Sequence, residues 1–276
     1  MPSFSRLRSV FTGIGACGGA LIFYYAFREN TRKRVHASWT TNYNPSVKWD
    51  FNWDKREPRS LIKPNEKDEN KYNEQIEKAQ PTAVRNLFLI RHGQYNLCGG
   101  NDQEKCLTEL GRKQADLTGQ RLKDLNFPFT KLVRSTMFRA LETAEIIQKH
   151  LPDVPCESSA FIQEGAPIPP EPPVGHWRPE KHQFYEDGAR IEAAFRKYFH
   201  RAPVSQEKDS FEIYVCHANV IRYFVCRALQ FPPEGWLRLS LNNASITWIS
   251  IRPKGNVVLH MLGDSGHLPP ELVTTS

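Results

Sequence analysis

Arg91-His92-Gly93 follows directly on a short apolar run, Asn86 to Ile90. A guanidinium and an imidazole at that place could meet an anion, and Gly93 lets the backbone approach closely. Alone, the tripeptide reads as readily as a surface loop. Two more stretches of the same kind occur downstream: Ser135-Thr136-Met137-Phe138-Arg139-Ala140 and His217-Ala218-Asn219. If each stretch ends a strand of one parallel sheet, two histidines and two arginines converge on one edge. In open α/β sheets ligands bind in the crevice beyond the carboxyl ends of the strands.

The elements that would deliver those residues can be read from periodicity. Asn86–Ile90, Lys131–Arg134 and Phe211–Cys216 are short apolar runs and predict strands. Leu107–Leu125 has apolar residues at helical spacing, with Thr108 as its cap. A second helix should run from a Ser135 cap to about His150, where Pro152 ends it. Further helices are expected over Glu186–His200 and Asn219–Leu229. Ile246–Ile251 and Asn256–Met261 should form a hairpin around Pro253-Lys254-Gly255. Strands alternating with helices imply an α/β fold in three layers, a largely parallel sheet with helices on both faces.

Composition permits one large domain with extensions. The chain has 276 residues, 39% of them hydrophobic, and a formal charge of +7. Residues 1–34 hold six cations against Glu29 alone, so +5 of that charge sits at the N-terminus and +2 elsewhere. A nucleic-acid binder would spread its cations over a face or groove, so no nucleic-acid partner is expected. The six cysteines (Cys17, Cys98, Cys106, Cys156, Cys216 and Cys226) form no C-x-x-C pair. Free thiols in a reducing compartment are the expectation. Cys216 should be a buried small hydrophobe, because neighbours on a strand face opposite ways and His217 takes the site.

Organisation along the chain follows from its patterning. Residues 1–9 are a short basic N-terminus. Residues 10–27 read VFTGIGACGGALIFYYAF and carry no charge, a length at the short end for a membrane span. Tyr24 and Tyr25 suit an interface, and Gly15 and Gly19 would let two such helices pack closely. A secretory signal and a mitochondrial presequence are the competing readings. The long apolar core and its aromatic end favour a retained or late-processed anchor. Residues 28–81 form a polar linker, in which Lys63 to Gln80 stays solvated or frays as a helix. Within it, Trp49-Asp50-Phe51-Asn52-Trp53-Asp54 has no local core. These aromatics need a surface, on their own domain or on another copy. Residues 82–276 form the catalytic domain.

The motifs resemble those of the histidine phosphatase superfamily, in its phosphoglycerate-mutase-like branch. The family's R-H-G stands as Arg91-His92-Gly93. Its S-x-x-x-R-A-x-x-T-A stands as Ser135, Arg139, Ala140, Thr143 and Ala144. Its late histidine stands as His217, and its acid matches Glu164 in Gln163-Glu164-Gly165. The resemblance covers roughly residues 82–262. It implies that His92 forms a phosphohistidine, that Arg91, Arg139 and His217 bind the phosphoryl group, and that Glu164 protonates the leaving oxygen and then activates water. It implies no metal or other cofactor. The aromatic cluster, the hydrophobic N-terminus and the stretch from Tyr185 through Asn243 resemble a mitochondrial group within the family that acts on proteins. That closer likeness implies a protein serine/threonine phosphatase on a mitochondrial membrane, the outer more than the inner, which assembles into oligomers through residues 49–54. Phosphorylated proteins, protein kinases among them, would be its substrates. The alternatives are a small-molecule phosphatase, a phosphoglycerate-type mutase, or a membrane scaffold. Two departures from the family pattern stand out: Gln94-Tyr95 where mutases commonly carry Glu-Ser, and a proline-rich loop from Gly165 to Pro173 that reads as a stiff substrate-side wall.

Overall fold

The computed structural model describes residues 45–63, 68–175 and 177–275. The anchor read at 10–27 lies outside the described residues. Among those described, no helix is long and apolar enough to cross a membrane. The chain divides into two units, Met1–Trp49 and Asp50–Ser276. In the first, the described residues 45–49 carry no helix or strand.

The second unit is built on one six-stranded sheet. Its strands are β1 (Arg85–Arg91), β2 (Phe129–Ser135), β3 (Cys156–Ser159), β4 (Ser210–Cys216), β5 (Ile246–Ile251) and β6 (Val257–Asp264), in the order β3-β2-β4-β1-β5-β6. β3, β2, β4 and β1 pair in parallel, while β5 runs antiparallel to both β1 and β6. Besides a single helical turn at Pro58–Leu61, the helices are α1 (Glu69–Lys78), α2 (Glu109–Asp124), α3 (Phe138–His150), α4 (Lys181–Tyr198) and α5 (Ala218–Ala228).

Strand alternation divides the core in two. Leu87 and Leu89 of β1 pack with Tyr214 and Cys216 of β4 against α4 and α5. Phe88 and Ile90 point the other way, with Ile213 and Val215, onto Leu122 of α2 and Ala140, Ala144 and Ile147 of α3. β1 is buried along its whole length, as a central strand covered on both faces must be. The architecture is therefore the expected three layers. Cys216 is fully buried, and burial pushes its thiol pKa far up.

Several boundaries differ from the sequence reading. Thr108 caps α2 as expected, its side chain accepting from the Gly111 amide at 3.0 Å. Ser135 does not cap α3: it ends β2, and Met137 takes the cap position without a side-chain bond. α4 begins at Lys181, five residues before the expected start, because Glu180 and Gln183 close a capping box there. β3 was not expected. It is a four-residue edge strand, Cys-Glu-Ser-Ser, with no apolar pattern to announce it. α1 has no buried residue, as its composition suggests.

Candidate active site

β2, β4 and β1 are neighbours, so their carboxyl ends lie side by side. Each delivers part of one site. β1 ends on Arg91, which pairs with Cys216 at the end of β4. The next amide, His92 N–H, donates to the Cys216 carbonyl at 3.0 Å. His92 Nδ1 lies 2.8 Å from the Gly93 carbonyl. A carbonyl only accepts, so Nδ1 carries the proton and Nε2 keeps its lone pair. The ring is buried, and burial, followed by Arg139 and Arg91, holds its pKa well below the usual 6.5. Gly93 earns its place by packing, since a Cβ there would stand 2.5 Å from the Gly111 carbonyl oxygen of α2.

Arg91 is held by its outer nitrogen. Nη1 donates to the carbonyls of Leu241 (2.6 Å) and Thr275 (2.7 Å). Its Nε is buried and has no partner in the protein. Burial and the neighbouring Arg222 lower its pKa to about 10, so it stays charged at neutral pH. Arg139, from the first turn of α3, leans its guanidinium over the Tyr95 ring at 4.7 Å. Tyr95 in turn meets the His92 ring edge-on at 5.1 Å. Gln94 accepts from the Thr108 hydroxyl at 2.8 Å, tying the same loop to the start of α2. The Gln94-Tyr95 departure thus has a packing role in this chain. Arg139 Nε, like Arg91 Nε, is buried without a partner.

His217 sits at the N-terminus of α5, its ring 5.2 Å from that of His92. Its Nε2 is 2.8 Å from Ser135 Oγ. The Met137 amide donates to that same oxygen at 3.3 Å, and the second lone pair leaves Ser135 able either to donate to Nε2 or to accept from it. With the hydroxyl donating, Nε2 is the acceptor and Nδ1 carries the imidazole proton, the tautomer that presents a donor to an anion. Nδ1 is buried without a partner. Burial, then His92 and Arg139, keep this ring neutral at ordinary pH. In that tautomer Arg91 Nε, Arg139 Nε and His217 Nδ1 are three buried donors with nothing in the protein to bond. Each unmade bond costs about 1–3 kcal/mol, which an anion seated among them would offset.

Glu164 stands in the loop after a short 3-10 turn, Ala160–Ile162. Its carboxyl accepts from the Gly165 amide at 3.2 Å. Burial raises its pKa, against the pull of that amide and of Arg139 and Arg91. Arg190 of α4 holds the loop in place by donating to the carbonyls of Phe161, Gln163 and Glu164, at 3.1, 2.7 and 3.0 Å. Nothing in the sequence marked Arg190, which looks like any helix-face cation. Nor did it mark the chain end, where Thr274 bonds Asn243 and Gln114 at 2.9 Å each. Asn243 Nδ2 reaches on to the His92 carbonyl at 3.3 Å. Ser135 and Thr143 lay inside a quoted motif. Thr143 accepts from the Gly93 amide at 3.1 Å, joining α3 to the loop that carries His92.

The aromatic cluster lies apart from these residues. Trp53 Nε1 donates to the Gly255 carbonyl at 2.8 Å, and its ring packs 5.9 Å from Phe195. Asp54 and Arg201 form an ion pair at 2.9 Å whose side chains are 0% and 1% exposed. Asn52 accepts from the Glu57 amide at 3.1 Å, and Asp50 and Gln230 exchange two bonds at 2.9 Å. Residues 50–54 are therefore pinned to their own domain, while Phe51 remains 47% exposed.

A sequence profile described as the histidine phosphatase superfamily (branch 1) matches residues 87–166 and 170–263. The mitochondrial serine/threonine-protein phosphatase Pgam5 of Drosophila ananassae is 51% identical over 98% of this chain and 96% of its own length. The protein of that name from Rattus norvegicus is 55% identical over 90% of this chain and 87% of its own. Among solved structures, phosphoglycerate mutase from Plasmodium falciparum has a TM-score of 0.50 and 34% identity, over 70% of this chain and 99% of that one.

Proposed function

The chain belongs to the histidine phosphatase superfamily, branch 1, and we propose that it is a serine/threonine-protein phosphatase that works through a phosphohistidine. The observation that carries this reading is the set of three unpartnered buried donors beside a histidine whose Nε2 is free. Neutral His92 attacks phosphorus through Nε2 while the bond to the serine or threonine oxygen breaks. Arg91, Arg139 and His217 hold the phosphoryl oxygens. Glu164 gives its proton to the departing oxygen, then takes one from the water that attacks the phosphohistidine. Phosphate leaves and His92 is restored. Relatives named as mitochondrial protein phosphatases over nearly the whole length support the substrate class and a mitochondrial location.

The finer points belong to the same reading. Residues 10–27 would tether the chain to a mitochondrial membrane, the outer more than the inner. Residues 49–54, with Phe51 exposed, would join copies into a homo-oligomer. Phosphoproteins are the partners. The resemblance to a mutase supports the second reading, transfer from phosphohistidine to a sugar-phosphate acceptor.

The test is phosphate release from a phosphothreonine peptide by the full chain and by His92→Ala. We expect turnover by the first and a loss of about 10³-fold or more in the second. Isomerisation of a phosphorylated sugar acid, with no phosphate released from the peptide, would replace this reading with the second.

A further inference from the structure

The phosphoryl cradle uses two guanidinium groups, and a third stands beside it. Arg222 lies on the second turn of α5 and is half-buried. Its Nη1 makes one long contact, 3.4 Å to Asn219 Oδ1, and its Nε is buried without a partner. Among the described residues no carboxylate lies within ion-pair distance of it. Arg222 is close enough to Arg91 to lower that residue's pKa, and close enough to Glu164 to feel its charge. A partly buried cation with no counter-charge in contact is costly to keep.

Asn219, the contact of Arg222, also walls a groove of about 350 Å³. Glu164, Gly165, Ala166, Trp177 and Arg178 line it too. It therefore opens on the side of the acid, where the leaving group departs. Its one other carboxylate is spent: Asp187 accepts from the Ala166 amide at 3.0 Å and from Arg190 at 2.7 Å. Arg178 is exposed on the rim and pairs with no carboxylate among the described residues. Trp177 gives the rim an apolar side, its ring packed edge-on against Phe184 and Trp236 at 6.0 and 5.4 Å. The leaving-group side thus offers a groove with Arg178 on its rim, Arg222 against its Asn219 wall, and no uncommitted anion except the proposed acid.

We propose that Arg222, with Arg178 at the rim, forms a second anion subsite, so that preferred substrates carry a carboxylate or a second phosphoryl group beside the phosphorylated residue. This rests on the protein-phosphatase reading and narrows it to acidic or doubly phosphorylated segments. Guanidinium suits either anion, because its fork matches carboxylate and phosphate alike.

The experiment compares three phosphothreonine peptides on the full chain: one with neutral flanks, one with Asp and Glu on both sides, and one with a flanking phosphoserine. We expect kcat/KM about tenfold higher for one or both anionic peptides, mainly through KM and weakened by salt. Arg222→Gln should cut that preference at least threefold, Arg222→Lys should keep part of it, and Arg178→Ala should reduce it separately. Equal kcat/KM for all three peptides on the wild-type chain overturns the subsite. So does an Arg222→Gln variant that slows all three by the same factor, since Arg222 would then only tune Glu164. Should Arg222→Gln fail to fold, the wild-type preference and Arg178→Ala still decide. Failure on all three peptides, with turnover of a phosphorylated sugar acid, instead brings down the protein-phosphatase reading on which the subsite depends.

Discussion

Ser135 bears on which nitrogen of His217 carries the proton in the proposed phosphoryl site. Its oxygen accepts from the Met137 amide, and its hydroxyl donates to Nε2 in the tautomer that keeps the imidazole proton on Nδ1. Ser135→Ala removes that donor and lets the imidazole proton move to Nε2, turning a lone pair towards the phosphoryl oxygens. We expect kcat to fall about 10²-fold with KM changed little, the size of a lost oxyanion donor. Ser135→Thr should recover part of the rate. Nitrogen chemical shifts of His217 check the cause: an unchanged tautomer in the alanine variant would contradict it. The same side chains set the pH dependence. His92 and His217 have lowered pKa values, so their neutral forms persist to more acid pH than an ordinary imidazole's. Glu164 has a raised pKa, so its acid form persists to higher pH than an ordinary carboxyl's. The acid limb of kcat on a phosphothreonine peptide should therefore lie below pH 6.5, and Glu164→Gln should erase the basic limb. That variant should slow the peptide about 10²-fold more than an aryl phosphate, whose leaving group needs no proton. Equal slowing of both substrates would remove Glu164 from the role of acid.

Between the residues and the fold stand the elements that aim them. α4 reaches the acid through Arg190, which spans three loop carbonyls and also pairs with Asp187 at 2.7 Å. Arg190→Ala should release the loop that carries Glu164. We expect kcat on phosphopeptides to fall about tenfold, with less effect on aryl phosphates and about 1–2 kcal/mol lost in stability. A fall that is the same for both substrates would mean that Arg190 serves the fold and not the acid. Elements of this kind mark the limit of the sequence. β1, β4 and α2 were legible because each carries its own signal: an unbroken apolar run, or Thr108 ahead of a periodic face. The motifs at the strand ends were legible because their order along the chain is specific. β3 was hidden because an edge strand of Cys-Glu-Ser-Ser has neither alternation nor branched side chains. Ser135 read as a helix cap because serine before a periodic run is the usual cap signature, whereas tertiary contact with His217 claims the hydroxyl. Arg190, Asn243 and Thr274 act across long sequence separations, and no local pattern encodes a partner that far away.

At the scale of the whole molecule, the domain is clasped from outside its sheet. Trp49 to Asp54 stood out in the sequence as aromatics without a core, and their surface was left open between self and another copy. For Trp53 the surface in place is the turn after β5 together with α4, while Asp50 meets Gln230 and Asp54 meets Arg201. Gly255 makes this possible: its φ of +88° turns the hairpin, and a Cβ there would come within 2.6 Å of Arg201 Nη2. Ile251, just before that turn, pairs with Arg85 at the start of β1, whereas the site lies past the other end of the same seven-residue strand. About 20 Å of strand separates the clasp from the site, so the clasp bears on stability and assembly before it bears on chemistry. Its anchor is the Asp54–Arg201 pair. Burial alone would raise the Asp54 pKa, but bonds from Arg201 override it and hold the value below 3.8. The sign follows: this stabilisation is present above the ordinary carboxyl range and is lost as pH falls through the lowered value. Asp54→Ala should cost about 3 kcal/mol in denaturant titration, because it strands Arg201 as an unpaired buried cation. The double change Asp54→Leu with Arg201→Met should cost clearly less, since it leaves no charge behind. A single variant as stable as the wild type would show that the clasp does not hold the arm in solution.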